Sequence, residues 1–253
     1  MRVAVRGALA GRIVAVPPCL DGARGAEGWA AVPGADPALR PLIEGAAGAS
    51  PYLGLLMQKE GAWLAEAAGR APEEAFDALL AEIGDGEPAV ALRVAKRRAA
   101  LLIGLCDLGG VWALGEVTGA LTALADRAVE VALTDALRAE AGRGRRAVLA
   151  AEDLSDAAGL VTLAMGKMGA GELNYSSDID LVCLFDESRY PPARYGEVRG
   201  ALVRVVQRMV RTLADVTRDG YVFRTDLRLR PDPSVTPVCI AMEAAERYYE
   251  SLG

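Results

Sequence analysis

Two apolar runs joined through a glycine-rich stretch limit the possible folds of this chain more than any other feature. Leu160-Val161-Thr162-Leu163-Ala164-Met165 reads as a buried strand, Gly166-Lys167-Met168-Gly169-Ala170-Gly171 as a loop, and Ile179 to Phe185 as a second strand. The second run begins too soon for a long helix to fit before it, and the glycines do not follow G-x-G-x-x-G. A dinucleotide-binding unit is therefore set aside. No Ser or Thr follows Lys167 in the place a P-loop needs it. Beyond the second run, Val198, Leu202, Val205, Val206, Met209, Leu213 and Val216 keep helical spacing over 195–218. Residues 221–230 then alternate like a strand.

The chain ahead of this block is helical in pattern. Short helices are expected around 38–47, 51–67 and 72–84. Ser50-Pro51 marks one start and Ala71-Pro72-Glu73-Glu74 another. Two stronger helices follow. Leu92, Ala95, Ala99, Leu102 and Cys106 form one apolar stripe, with Arg93, Lys96 and Arg97 largely outside it. Val117, Leu121, Leu124, Ala128 and Val131 form another. Both stripes read as core. Residues 1–37, rich in Gly, Ala and Pro, read as loop or poorly ordered. With a boundary at Gly142-Arg143-Gly144, the expected organisation is a poorly ordered segment over 1–37, a helical region over 38–145 and a core over 146–253. The fold class is α+β, helices first and a mixed sheet after.

Composition removes several kinds of chemistry. With no histidine, Ser-His-Asp catalysis, imidazole zinc sites and a histidine base are all excluded. A net charge of −6 without a basic tail argues against a nucleic-acid partner. Cys19, Cys106, Cys183 and Cys239 are scattered and read as reduced thiols of a cytoplasmic protein rather than a disulfide or zinc framework. Arg6 and Arg12 interrupt the apolar start, so no signal peptide is read. No uncharged apolar run is long enough to span a bilayer, so no membrane partner is expected.

The chemistry then falls to carboxylates. In a strand, Asp178 and Asp180 share a face while Ile179 points to the core. Two carboxylates so close repel unless something neutralises them. Mg²⁺, or Mn²⁺, suits such an oxygen-rich site and also binds phosphate oxygens. On the spacing alone, a solvated strand end is the stronger reading. The glycine loop either cradles a phosphate with its backbone N–H groups, aided by Lys167, or is simply a turn. Along 221–230, Asp226, Arg228 and Arg230 would share one face, a third carboxylate beside two guanidiniums suited to phosphate. An exposed edge strand with local ion pairing is the alternative. Taken together, these parts point to metal-assisted phosphoryl or nucleotidyl transfer.

The stretch Ala164 to Leu181, with Gly166-Lys167-Met168-Gly169-Ala170-Gly171-Glu172-Leu173-Asn174-Tyr175-Ser176-Ser177-Asp178-Ile179-Asp180 inside it, closely resembles the active-site motif of the bifunctional glutamine synthetase adenylyltransferase/adenylyl-removing enzymes. Asp226-Leu227-Arg228-Leu229-Arg230-Pro231-Asp232 resembles the family's second block, and Leu92 through Leu124 also looks like that family. The resemblance runs over roughly residues 50–253. It implies a DNA polymerase β-like nucleotidyltransferase core, with Asp178, Asp180 and Asp226 as catalytic metal ligands for Mg²⁺ or Mn²⁺. It places Gly166, Lys167, Gly169, Ser177, Arg228 and Arg230 around nucleotide and phosphate. Leu173-Asn174 stands where the family's adding domain has Met-Thr, so the stretch resembles the removing domain, which releases AMP from a tyrosine of glutamine synthetase by phosphorolysis, forming ADP, in the control of nitrogen assimilation. The implied partners are glutamine synthetase, nucleotide, phosphate and the PII signalling protein. Adenylyl transfer from ATP, or a binding role without turnover, are the alternatives. Pro233-Ser234-Val235-Thr236-Pro237 replaces glycines the family has there, so the turn beside the site is expected to differ. Met168 for leucine and Ala170 for glycine are milder departures. The chain stops at Gly253 where the family continues, which implies an N-terminal fragment or truncated product.

Overall fold

The computed structural model of the chain describes residues 7–84, 86–144, 147–150 and 152–252. Residues 1–6, part of the segment read as loop, lie outside the described residues. The chain divides into two compact units, Met1–Asp85 with Arg93–Leu124, and Gly86–Leu92 with Ala125–Gly253.

The first unit is helical. It holds α1 (Gly22–Ala30), α2 (Arg40–Ala49), α3 (Pro51–Ala67), α4 (Pro72–Glu82), most of α5 (Pro88–Leu108) and the start of α6 (Leu114–Ala141). The start signals work as their chemistry requires. Ser50 accepts from the Leu53 N–H with Pro51 at the first helical position, and Glu73 and Glu74 lie in the first turn of α4. Helix α1 falls in a segment expected to be loop. Asp21 caps it by accepting from the Arg24 N–H, and its buried side is glycine. A Cβ on Gly28 would lie 2.4 Å from the Ala47 Cβ of α2, so the bare backbone is what lets the two helices close. A helix that packs through glycine carries no large apolar stripe for a periodicity search to find.

Helix α3 kinks at Glu60, whose φ of −123° and ψ of 15° leave the helical region. The Glu60 side chain, only 6% exposed, accepts from Arg97 Nε at 2.8 Å and Arg98 Nε at 2.9 Å. Burying a carboxylate is costly unless it is paired and hydrogen-bonded, and here both conditions hold. The α5 stripe Leu92, Ala95, Ala99, Leu102 and Cys106 is buried as expected. Arg93, expected outside it, is buried too.

The second unit contains a mixed four-stranded sheet. Strand β1 (Leu160–Met165) pairs antiparallel with β2 (Ile179–Phe185), Met165 opposite Asp180. The other edge of β2 is shared by two short parallel strands. β3 (Thr225–Asp226) lies opposite Ile179–Asp180, and β4 (Cys239–Ala241) lies opposite Cys183–Phe185. The one-turn helix α7 (Gly166–Gly169) joins β1 to the loop before β2, and α9 (Met242–Leu252) follows β4. The fold is α+β. Helix α8 (Tyr195–Ala214) buries Val198, Leu202, Val205, Val206, Met209 and Leu213, with the Tyr195 ring 5.9 Å from that of Phe185 on β2. Ile179, Leu181, Cys183 and Phe185 are buried on one face of β2, so Asp180 stands on the opposite face. Strand β1 is only half buried. Val161, Leu163 and Met165 are 37–43% exposed, because β1 is an edge strand and alternate side chains face away from the core.

Two expected boundaries shift. Helix α8 ends at Ala214 rather than 218, leaving Val216 exposed. The N–H groups of Val222 and Phe223 then donate to the Leu213 carbonyl, closing the helix end instead of starting a strand. The strand expected over 221–230 shrinks to Thr225–Asp226. Downstream, the Arg228 N–H donates to Asp226 Oδ1, a local turn that competes with strand pairing. Among the described residues, no helix is long and apolar enough to cross a membrane.

Candidate active site

The site is built on the N-terminal end of β2. Parallel register sets Asp180 beside Asp226, and adjacent strands lie about 4.8 Å apart, so the two carboxylates stand side by side on the face away from the core. Asp178 precedes the strand by one residue, and the Ile179 N–H donates to the Arg224 carbonyl at 2.9 Å, extending the pairing backwards. Alternation therefore turns Asp178 to the same face as Asp180.

Each flank of this acidic row has its own arginine. Arg224 donates through Nε to Asp178 Oδ1 at 2.5 Å and through Nη2 to the Ser176 carbonyl at 2.8 Å. Arg228 donates through Nε and Nη2 to the Asp226 carboxylate, at 2.5 Å for the shortest contact. The Arg228 side chain and its backbone N–H hold the Asp226 carboxyl below the ordinary carboxylate range, against a smaller opposing effect of burial. Arg224 was not singled out in the sequence reading. Its signal was available: it lies two residues before Asp226 and so shares that residue's face.

The other expected residues separate by role. Gly166 has a φ of +55°, a left-handed conformation that favours glycine, and a Cβ there would lie 2.9 Å from Asp180 Oδ2. Its place against the acidic row therefore depends on the missing side chain. Gly169 instead seats α7 on β1, since a Cβ there would lie 2.4 Å from the Ala164 carbonyl oxygen. Lys167 is exposed on α7. Ser177 Oγ donates to Asn174 Oδ1, closing the turn in which Ser176 takes a φ of +57°. Arg230, expected on the Asp226 face, points into its own loop. It donates to the carbonyls of Leu227, Pro233 and Thr236, because the chain has left the strand before reaching it. In that loop the positive φ falls on Asp232, ahead of Pro233.

Among the described residues, no three Asp, Glu, Cys or His side chains stand close enough to hold a metal ion as arranged. As arranged, Asp178 is paired with Arg224 and Asp226 with Arg228. The donor set still fits a hard divalent cation. It is all carboxylate oxygen, two members are in cross-strand register, and the third is held only by an exposed ion pair with Arg224, half of whose side chain is in solvent. A divalent ion bound there would supply the charge that the two arginines supply here.

The family model GlnE, described as glutamate-ammonia ligase adenylyltransferase, matches residues 41–253. Curated relatives carry the name bifunctional glutamine synthetase adenylyltransferase/adenylyl-removing enzyme. One from Bradyrhizobium sp. (strain BTAi1 / ATCC BAA-1182) is 48% identical over 226 residues, covering 85% of this chain and 22% of the relative. One from Rhodopseudomonas palustris (strain TIE-1) is 43% identical, covering 97% of this chain and 27% of the relative. One from Caulobacter vibrioides is 44% identical, covering 81% and 22%. The chain thus spans about a quarter of the length of the curated relatives it matches.

Proposed function

This chain belongs to the glutamate-ammonia ligase adenylyltransferase family, and we propose that it carries the adenylyl-removing site, acting on adenylylated glutamine synthetase. The observation that carries this reading is the acidic row, Asp180 in register with Asp226 and Asp178 on the same face, directly after the turn built by Asn174 and Ser177. The segment Glu172 to Asp180 favours removal over addition, because Leu173-Asn174 stands where the adding domain has Met-Thr.

Asp178, Asp180 and Asp226 would hold Mg²⁺ or Mn²⁺. When bound, such an ion neutralises phosphate oxygens and stabilises the charge that develops at the reacting phosphorus. The chain's own residues position the rest. Gly166 lets the backbone pass close to Asp180, and Lys167 and Arg228 place positive charge where a phosphate would lie. Arg224 pairs with Asp178 and Arg228 with Asp226 in the resting site. In the reaction a phosphate oxygen bonds to the phosphorus of the tyrosyl-linked AMP. The bond from that phosphorus to the tyrosine oxygen breaks, the phenolate takes up a proton, and ADP leaves. Glutamine synthetase, and a PII protein as regulator, are partners on this reading.

Incubating the chain with adenylylated glutamine synthetase, phosphate and Mg²⁺ is expected to release ADP, and Asp178→Asn or Asp180→Asn to abolish it. ADP release indifferent to both substitutions would sink the assignment. Label passing from ATP to glutamine synthetase would instead favour the adding direction.

A further inference from the structure

Away from the acidic row, the second unit carries a groove of about 450 Å³ lined by Arg143, Arg204, Gln207, Arg208 and Arg211, with Glu140 among them. In a chain with a net charge of −6, four guanidiniums around one cavity are a strong local reversal of sign. Arg204, Arg208 and Arg211 follow one another at i, i+4 and i+7, so they form one stripe along α8. Carboxylates answer only part of this charge. Glu140, 5% exposed, accepts from Arg204 Nη2 at 2.5 Å and from Arg143 Nη1 at 3.1 Å. Arg208 reaches Asp135 at 3.0 Å. The Arg211 side chain makes no ion pair or hydrogen bond among the described residues. A guanidinium has five N–H donors, so every one of these arginines keeps donors to spare.

We propose that this groove is a second ligand site, separate from the acidic row, which takes a small molecule carrying a multiply charged anionic group, phosphate or dicarboxylate. Buried Glu140 is the positioning residue. Burial opposes its charge, and the hydrogen bonds from Arg204 and Arg143 outweigh that and hold it ionised. It fixes two guanidiniums at the floor, while Arg208 and Arg211 close on the anion from α8, each able to offer paired donors. The inference stands whether or not the chain removes AMP.

Calorimetric titration of the 253-residue chain with inorganic pyrophosphate and, separately, malonate, in metal-free buffer of low salt, tests it. Binding of one or both is expected. Arg211→Glu, which breaks no ion pair, should weaken it at least tenfold, and Arg218→Ala, at an exposed arginine outside both sites, should leave it unchanged. Tighter pyrophosphate assigns a phosphate-bearing ligand, and tighter malonate a dicarboxylate. No binding of either anion, or binding that survives Arg211→Glu or is lost with Arg218→Ala, overturns the proposal.

Discussion

Gly166→Ala separates backbone strain from a direct effect on the acidic row. At φ +55° an alanine costs about 1–2 kcal/mol of conformational energy. Its Cβ would also lie 2.9 Å from Asp180 Oδ2, nearer than carbon and oxygen normally approach, so the carboxylate must shift by a few tenths of an ångström. Gly171→Ala is the control. Its φ of +74° carries similar strain, but nothing lies within 4 Å of the added Cβ. Both variants are expected to lose roughly 1–2 kcal/mol of stability in chemical denaturation. Only Gly166→Ala should also lose Mn²⁺ affinity, by about tenfold or more in calorimetry, in line with what disturbing the support of a metal ligand costs. Where ADP release is measured, the same variant should also fall, by less than the roughly hundredfold that a full 1 Å displacement costs. If the two variants match in Mn²⁺ affinity and turnover, Gly166 is a turn residue alone and its closeness to Asp180 has no functional meaning.

Three further outcomes are expected. The Asp226 carboxyl should titrate below the ordinary carboxylate range by carbon NMR; because its folded pKa is depressed, its contribution to stability is present above the unfolded value of about 3.9 and is lost as pH falls through the folded value. Arg228→Ala should move that midpoint upward, and an unmoved midpoint refutes the pairing. Glu60→Ala strands two guanidiniums around a buried position and should cost about 3 kcal/mol in denaturant unfolding; a loss below about 1 kcal/mol counts against the buried pair. Burial pushes the Cys183 thiol up to about 11 and raises Cys106 and Cys239 as well, so a thiol reagent at pH 8 should label exposed Cys19 alone until denaturant is added. Rapid labelling of more than one thiol in the folded chain would contradict the burial.

The sequence by itself determined the elements whose side chains carry a strong period. Strands Leu160–Met165 and Ile179–Phe185 and the stripes of α5, α6 and α8 are local patterns of apolar residues, and burial of one face is what selects them. It also supplied the candidate metal ligands Asp178, Asp180 and Asp226, because their types and spacing are properties of the chain. Tertiary structure decided what no local pattern encodes. Helix α1 packs through Gly25 and Gly28, which give no hydrophobic signal. The stretch 221–230 alternates like a strand, yet Val222 and Phe223 are taken by the end of α8 and Arg228 by Asp226, so only Thr225–Asp226 pairs. That pairing placed Asp226 beside Asp180, brought Arg224 onto Asp178 from 46 residues away, and turned Arg230 into its own loop. Side-chain alternation assigns a residue to a face only while the strand lasts. Where it stops, competing hydrogen bonds from distant residues decide which charges meet.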